Sequence, residues 1–217
     1  MHIISVNVGL PREVPWKGAT VRTGIFKEPV QGEVAVRKLN LDGDRQADLT
    51  VHGGAAKAVY AYPAEHYESW RAELGEPRLS WGNFGENLTT TGLMEETTYI
   101  GDQLKIGSAT LMVTQPRLPC YKLALRLNRD DILKRFLLSR RSGIYFSVIE
   151  EGRVSTSSPI EFIGRDPLRV SVTDLINLFL GEHDPDLMQR ALHLQALPHN
   201  WKPELLARSQ ARHPQRM

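Results

Sequence analysis

Residues 97–115, TTYIGDQLKIGSATLMVTQ, contain two short runs of strand-like sequence. Apolar residues in these runs alternate with polar ones or form brief apolar stretches, and Gly101 and Gly107 interrupt them. Short apolar runs that are bounded by glycine are typical of β-strands joined by turns. The segment therefore predicts a fold in which strands dominate.

Similar segments recur on both sides of this stretch: 2–8 (HIISVNV), 34–41 (VAVRKLNL), 57–62 (KAVYAY), 144–154 (IYFSVIEEGRV) and 159–164 (PIEFIG). Two helical patterns interrupt them, at 63–74 and 129–140, where apolar residues fall three to four positions apart. Many short strands with few helices favour a mainly β (α+β) fold, built as a barrel or a sandwich.

The pattern changes after Pro167, where three short helical segments replace the strands: 171–181, 184–195 and 200–210. Asp184 followed by Pro185 is a typical start of a helix, and Gly181 is a typical end. We therefore predict two units, a β domain over residues 1–165 and a small three-helix appendage over residues 166–217. The apolar faces of the appendage could pack on the β domain or on a second subunit, so a homodimer stays open.

The composition of the chain excludes several classes of protein. Its 217 residues include 27 basic and 25 acidic side chains, a net charge of +2, so the chain as a whole has no signal for binding nucleic acid. One cysteine excludes an internal disulfide and a multi-cysteine zinc site. No apolar run is long enough to cross a membrane, and the first ten residues lack the features of a signal peptide. We expect a cytoplasmic protein.

Three segments carry residues suited to chemistry. In the first, Gly53 and Gly54 stand between His52 and Lys57, shortly after Asp48. Glycine backbone can turn successive N–H groups toward an anion, and a lysine adds positive charge. The alternative is a glycine turn beside a hydrogen-bonded histidine, and this segment alone favours that alternative.

The second segment, 81–93 (WGNFGENLTTTGL), predicts a long loop marked by Gly82, Gly85 and Gly92. Its side chains Glu86 and Asn87 could bind a polar heterocycle or a phosphate. They could equally satisfy the backbone of their own loop. The segment by itself does not decide between the two.

The third segment, 115–124 (QPRLPCYKLA), holds the single cysteine, Cys120. Pro116 and Pro119 restrict the backbone before it, and Arg117 and Lys122 would favour a thiolate if they lie close. A thiolate is the ligand that a soft metal prefers. A buried structural thiol is the alternative and is the commoner role of a single cysteine.

Other sites are not supported by the sequence. A calcium loop would need glycine where Ala47 stands, and the histidines of the tail have no spacing that would bind zinc, so we expect neither metal. A thiol-hydrolase triad of Cys120, His52 and Asp48 would need a proximity that the sequence does not indicate.

The three segments, in this order, resemble the MOSC domain family, which is named after the C-terminal domain of molybdenum cofactor sulfurases. The resemblance is carried by 43–67 (GDRQADLTVHGGAAKAVYAYPAEHY), 84–109 (FGENLTTTGLMEETTYIGDQLKIGSA), 115–124 and 142–163 (SGIYFSVIEEGRVSTSSPIEFI). The match is close to the YiiM-like subgroup, which has a short helical tail called the 3-alpha domain. The resemblance implies a β-barrel fold with a cleft for the molybdenum cofactor.

The resemblance also implies roles for individual residues. Cys120 would be the protein thiolate on molybdenum and thus the catalytic residue. The candidates to hold the pterin and its phosphate, or to line the same cleft, are His52, Gly53, Gly54, Lys57, Glu86, Asn87, Arg117 and Lys122.

Relatives of this kind reduce N-hydroxylated compounds such as hydroxylaminopurines, converting N–OH to N–H. The resemblance therefore implies a molybdenum-dependent reductase with a small-molecule substrate. Since the sequence has no flavin, haem or iron–sulfur motif, a separate flavoprotein or ferredoxin-like donor would supply the electrons. The alternatives are a carrier of the cofactor, or of its sulfur as a persulfide on Cys120, and a scaffold without activity.

Overall fold

The computed structural model describes residues 1–47 and 53–211. The strands are β1 (His2–Val8), β2 (Arg12–Trp16), β3 (Ala19–Thr23), β4 (Glu28–Val30), β5 (Val34–Val36), β6 (Val59–Pro63), β7 (Leu88–Thr91), β8 (Gln103–Ile106), β9 (Ala109–Pro116), β10 (Ile144–Glu150), β11 (Gly152–Val154) and β12 (Ile160–Gly164). Within the described part of the chain, the helices are α1 (Glu65–Leu74), α2 (Tyr121–Leu127), α3 (Ile132–Ser139), α4 (Val172–Phe179), α5 (Pro185–His193) and α6 (Trp201–Ala211). The predicted mainly β, α+β fold is confirmed.

The main sheet has eight strands in the order β12-β8-β9-β10-β6-β7-β1-β4. Its pairs are antiparallel except for β6 with β7, where Ala61 lies opposite Leu88. Over the described residues the strands do not close into a barrel. The chain just before β12 instead approaches the start of β1, where the Ile3 amide donates to the Ser158 carbonyl over 3.0 Å. The sheet is therefore strongly curved, and backbone hydrogen bonds outside the strand ladder connect its two sides.

The main apolar core lies against this sheet. Residues such as Ile3, Leu104, Val113 and Phe146 are fully buried in it. β10 alternates buried and less buried positions, as expected for a strand with one face on a core. The core explains the alternating patterns from which the sequence predicted these strands.

The three helices of the tail form where the sequence predicted them. Ser171 and Asp174 form a reciprocal capping box at the start of α4, and the Asp184 side chain accepts from the Leu187 amide at the start of α5. Apolar residues of all three helices belong to the same buried cluster as the sheet, including Leu175 and Leu205. The tail therefore packs on the β sheet, while the division into two units at residue 165 stays a prediction.

An aromatic cluster supports the loops on the other side of the sheet. Trp70 on α1 is fully buried and donates from Nε1 to the Tyr62 hydroxyl over 2.7 Å. Phe84 stacks on Tyr62 with the ring centroids 4.7 Å apart, and Phe136 of α3 stacks on Trp70. This cluster fixes the loop that contains Gly82 and Gly85 against helices α1 and α3.

The sequence did not predict the hairpin of β2 and β3, strand β7 or helix α2. The hairpin turns at Lys17 and Gly18, which both have positive φ (48° and 80°), as a two-residue turn of type I′ requires. β7 lies inside the segment that was predicted to be a long loop. None of the described helices is long and apolar enough to cross a membrane.

Candidate functional site

A cavity of about 320 Å³ lies between the sheet and the C-terminal helices. This is within the range of volumes that small-molecule sites occupy. Among its described lining residues, five are basic and one is acidic. The basic ones are Lys27, Arg45, Lys57, Arg117 and Lys122, and the acidic one is Glu204. The cavity is therefore suited to an anionic ligand, although the chain as a whole is almost neutral.

Cys120 lies in this cavity, directly before the first residue of α2. β9 ends at Pro116, and residues 117–119 connect it to the helix. Cys120 has extended backbone, with φ −128° and ψ 168°, and its side chain is partly exposed. Pro116 and Pro119 also line the cavity. The thiol is thus at a cavity wall and not in the core, so the alternative of a buried structural thiol loses its support.

Arg117 connects the cysteine segment to the Gly82–Asn87 loop. Its guanidinium is buried, donates to the Phe84 carbonyl, and lies over the Tyr60 ring at 4.9 Å from the centroid. Burial by itself lowers the pKa of Arg117, but the phenols of Tyr60 and Tyr145 and the Cys120 sulfur outweigh it, and the pKa is raised. Arg117 is therefore a permanent cation beside the thiol.

Lys57 reaches the same cavity from a short 3-10 turn, Ala55–Lys57. The Thr114 hydroxyl on β9 donates to the Ala56 carbonyl over 2.7 Å and fastens this turn to the strand that leads to Cys120. Burial lowers the pKa of Lys57, while the nearby Cys120 charge opposes the shift. The first and third predicted segments are therefore brought together.

Lys122 and Asn87 complete the predicted residues that line the cavity. Lys122 lies in the first turn of α2 and is buried, in spite of its charge. The Asn87 amide donates from Nδ2 to Asp44 over 2.9 Å and accepts from the Tyr60 amide through Oδ1. Asp44 also pairs with the buried Lys27. Asn87 is thus held by a buried polar network directly under the cavity.

Glu86 does not line the cavity. It is fully buried, and its carboxylate accepts from the Gly82 amide over 2.7 Å, from the Thr89 hydroxyl over 2.9 Å and from the Tyr67 hydroxyl. Burial raises the pKa of Glu86, and these hydrogen bonds counteract the shift only in part. Glu86 therefore stabilises the Gly82–Asn87 loop from inside the protein, and it could affect a ligand only through the shape of that loop.

The remaining predicted residues are in the first segment. His52, like Asp48, lies outside the described residues. Gly53 and Gly54 precede the 3-10 turn and do not belong to the cavity lining. Gly54 has φ 94°, a conformation that favours glycine, so this residue enables the turn that carries Lys57.

The sequence did not predict that residues of the C-terminal helices form one wall of the cavity. Phe179, Asn200, Trp201 and Glu204 line the cavity from α4, from α6 and from the residue that precedes α6. Trp201 donates from Nε1 to the Gln115 Oε1 over 2.6 Å, which ties the tail to β9. The apolar faces of these helices predicted packing, but no local motif indicated what they would face.

Among the described residues there is no group of three or more His, Cys, Asp or Glu side chains that could hold a metal.

The model of the MOSC domain family matches residues 48–161, which is more than half of the chain. This chain belongs to the MOSC domain family. Its relatives include YflK of Bacillus subtilis, 39% identical over 202 residues, 92% of this chain and 90% of that protein. YiiM of Escherichia coli is 41% identical over 145 residues, 66% of this chain and 65% of that protein.

A protein of Gibberella moniliformis named reductase is 35% identical over 161 residues, which are 73% of this chain but only 28% of that longer protein. The solved structure of YiiM from Geobacillus stearothermophilus has a TM-score of 0.79 to this chain, with 32% identity, and covers 95% of this chain and 98% of its own. The MOSC chain is thus YiiM-like in sequence and fold, and its function is associated with the molybdenum cofactor.

The residues of this MOSC cavity fit that cofactor in chemical type. A molybdopterin is a phosphorylated anion with sulfur ligands, and the cavity offers several cations and one partly exposed thiol. Thiolates suit soft metal centres, and clustered cations with close backbone suit phosphate.

Proposed function

We propose that this MOSC protein is a molybdenum-cofactor-dependent reductase of N-hydroxylated compounds, with hydroxylaminopurines among its substrates. The observation that carries the proposal is the position of Cys120, which is partly exposed in a cavity whose described lining has five basic side chains and one acidic side chain. The relative named reductase supports the choice of an enzyme over a carrier.

The predicted residues that line the cavity each have a role in this proposal. Cys120 supplies the protein thiolate to molybdenum, and Arg117 and Lys57 stabilise the thiolate form by their charge. Lys122, with Asn87 at the floor of the cavity, binds the phosphate and the polar edge of the pterin. His52, Gly53 and Gly54 remain candidates for the same ligand, with Glu86 acting through the shape of its loop.

The reaction consumes two electrons and two protons: R–NH–OH + 2 e⁻ + 2 H⁺ gives R–NH₂ + H₂O. The bound cofactor supplies the two-electron and oxygen-atom chemistry. The protein has to exclude bulk water, fix the substrate and deliver protons. Lys57 is placed for proton delivery because it lines the cavity on a turn that is tied to β9. A separate flavoprotein or ferredoxin-like protein provides the electrons.

A turnover assay tests the proposal. The full chain, produced in a host that makes the cofactor, is given a chemical reductant and 6-hydroxylaminopurine, and adenine is measured. We expect adenine from the wild type and from Ser139→Ala, a control outside the cavity, and none from Cys120→Ala.

The carrier alternative predicts different results from the same preparations. It expects a persulfide on Cys120, seen by mass spectrometry as one added sulfur atom, and no adenine. Cofactor-loaded wild type that forms no adenine would contradict the proposed reductase for this substrate.

A further inference from the structure

Two arginines lie on one phenylalanine ring close to the cavity. The Arg12 guanidinium carbon is 4.0 Å from the centroid of Phe26, and that of Arg126 is 4.9 Å from the same centroid. Both guanidinium groups contact one ring, and the charge of Arg12 acts on Arg126. Such proximity is unfavourable unless an anion compensates it.

The described side chains compensate these charges only at a distance and not by direct ion pairs. The Nε of Arg126 is buried and has no hydrogen-bond partner within the described part of the chain. No described side chain forms an ion pair with either Arg12 or Arg126. Burial lowers the pKa of Arg126, and the charge of Arg12 lowers it further, while Glu28 and Glu86 counteract this. A buried donor without an acceptor costs stability, so the arrangement favours a bound acceptor.

The arginine pair adjoins the cavity through two chain connections. Arg126 lies four residues after Lys122 on α2, which places both side chains on the same face of the helix. Phe26 directly precedes Lys27, and both lysines line the cavity. Positive charge thus continues from the cavity along α2 to Arg126 and Arg12.

We propose that Arg12 and Arg126, held against the ring of Phe26, form an oxyanion subsite beside the cavity that binds a phosphate group. Guanidinium groups present donors in a fork that matches phosphate oxygens, and contact with the Phe26 ring restrains both groups before the ligand arrives. The phosphate belongs to a nucleotide whose base enters the cavity, or it is inorganic phosphate. The first alternative, a nucleotide, rests on the proposed function, because the enzyme would then accept N-hydroxylated nucleotides as well as the free bases.

Calorimetric binding to the full chain tests the subsite without any turnover. The probes are adenosine 5′-monophosphate, adenosine and inorganic phosphate. We expect Arg126→Gln and Arg12→Gln each to weaken binding of the phosphate-containing probe roughly tenfold, the effect of losing a charged hydrogen bond. Arg12 is exposed, so Arg12→Gln should fold even if Arg126→Gln does not.

Two further variants sharpen the test. Glu28→Gln removes a negative charge near Arg126 and should strengthen binding. Arg153→Gln, which removes an exposed arginine from β11, should leave binding unchanged. Adenosine, which lacks phosphate, should respond to none of these changes.

The outcomes are distinct. Monophosphate binding that exceeds phosphate binding and depends on both arginines supports a nucleotide, and equal dependence of both probes supports a subsite for inorganic phosphate. If neither probe binds the wild type, or if both bind equally well to the wild type, Arg12→Gln and Arg126→Gln, the subsite does not exist. The reductase proposal would be unaffected, because adenine formation from the free base does not involve these arginines.

Discussion

The Gly82–Asn87 loop and the Gln115–Lys122 segment were both predicted to contact the cofactor, but the structure uses their polar residues differently. Glu86 of the loop is fully buried and accepts hydrogen bonds from its own surroundings, whereas Cys120 of the segment is partly exposed at the cavity. A motif can therefore belong to a site because it shapes the wall or because it contacts the ligand. Stability and metal content should separate these two roles.

The largest effect on stability should come from Glu86→Ala. The substitution leaves buried donors of Gly82, Thr89 and Tyr67 without an acceptor, so we expect a loss of about 3–4 kcal/mol in the free energy of unfolding. Urea denaturation measures it. The control Glu96→Ala removes an exposed carboxylate and should change the value by less than about 0.5 kcal/mol. Equal effects of the two variants would contradict the structural role of Glu86.

Arg117→Met should have the next largest effect, about 2–3 kcal/mol, because it removes a buried charge-assisted hydrogen bond to the Phe84 carbonyl. Arg117→Lys retains the charge and should lose less. Thermal unfolding of both variants measures the difference. If methionine were as stable as lysine at this position, the contact between the two segments would not depend on charge.

Trp201→Phe should cost about 1 kcal/mol, the typical value of one hydrogen bond, since Gln115 loses its indole donor. Denaturant midpoints measure this cost. Because Gln115 also donates from Nε2 to the Ala56 carbonyl, Gln115→Ala should destabilise the protein at least as much. A stabilising effect of Trp201→Phe would show that the tail is not held to β9 in this way.

The effect of pH should report on Glu86. Burial raises the pKa of this carboxyl in the folded state above its usual value of 4.5, so its protonated form is the one that folding favours. The stability that Glu86 contributes is then fully present below pH 4.5, and it is lost as the pH rises through the folded-state pKa. With rising pH, the free energy of unfolding of the wild type should therefore fall relative to that of Glu86→Gln. A difference that grows with pH would mean that the folded-state pKa is lowered.

The smallest effect on stability should come from Cys120→Ala. The side chain is partly exposed at a cavity wall, so few packing contacts are lost, and we expect a change within about 0.5 kcal/mol. Chemical denaturation in the absence of the cofactor is the appropriate measurement. A loss similar to that of Glu86→Ala would assign Cys120 to the core.

Local patterns were sufficient for most of the fold. The alternation in 2–8 and 144–150 corresponds to β1 and β10, and the predicted helical segments 171–181 and 184–195 correspond to α4 and α5. β7 and α2 were missed because glycines and prolines dominate the segments around them. Long-range contacts, such as the parallel pairing of β7 with β6, hold these elements in their regular structure. Local sequence does not encode such contacts.

The site could be predicted only in part, for the same reason. One cavity is lined by Lys57, Asn87, Arg117, Lys122 and Cys120, while their roles toward a cofactor stay a prediction. Lys27 and Trp201 were not predicted, because they lie outside the motifs and reach the cavity through the fold. The amide-rich loop contains Asn87, which lines the cavity, and Glu86, which does not. Both side chains are buried, so only the folded position of each residue distinguishes them.

The most direct test of the central claim is the molybdenum and pterin content of the full chain purified from a host that makes the cofactor. We predict nearly stoichiometric molybdenum in the wild type and in the folded fraction of Glu86→Gln, and loss of molybdenum in Cys120→Ala without loss of stability. Molybdenum retained at the wild-type level by Cys120→Ala would contradict the assignment of Cys120 as the metal ligand.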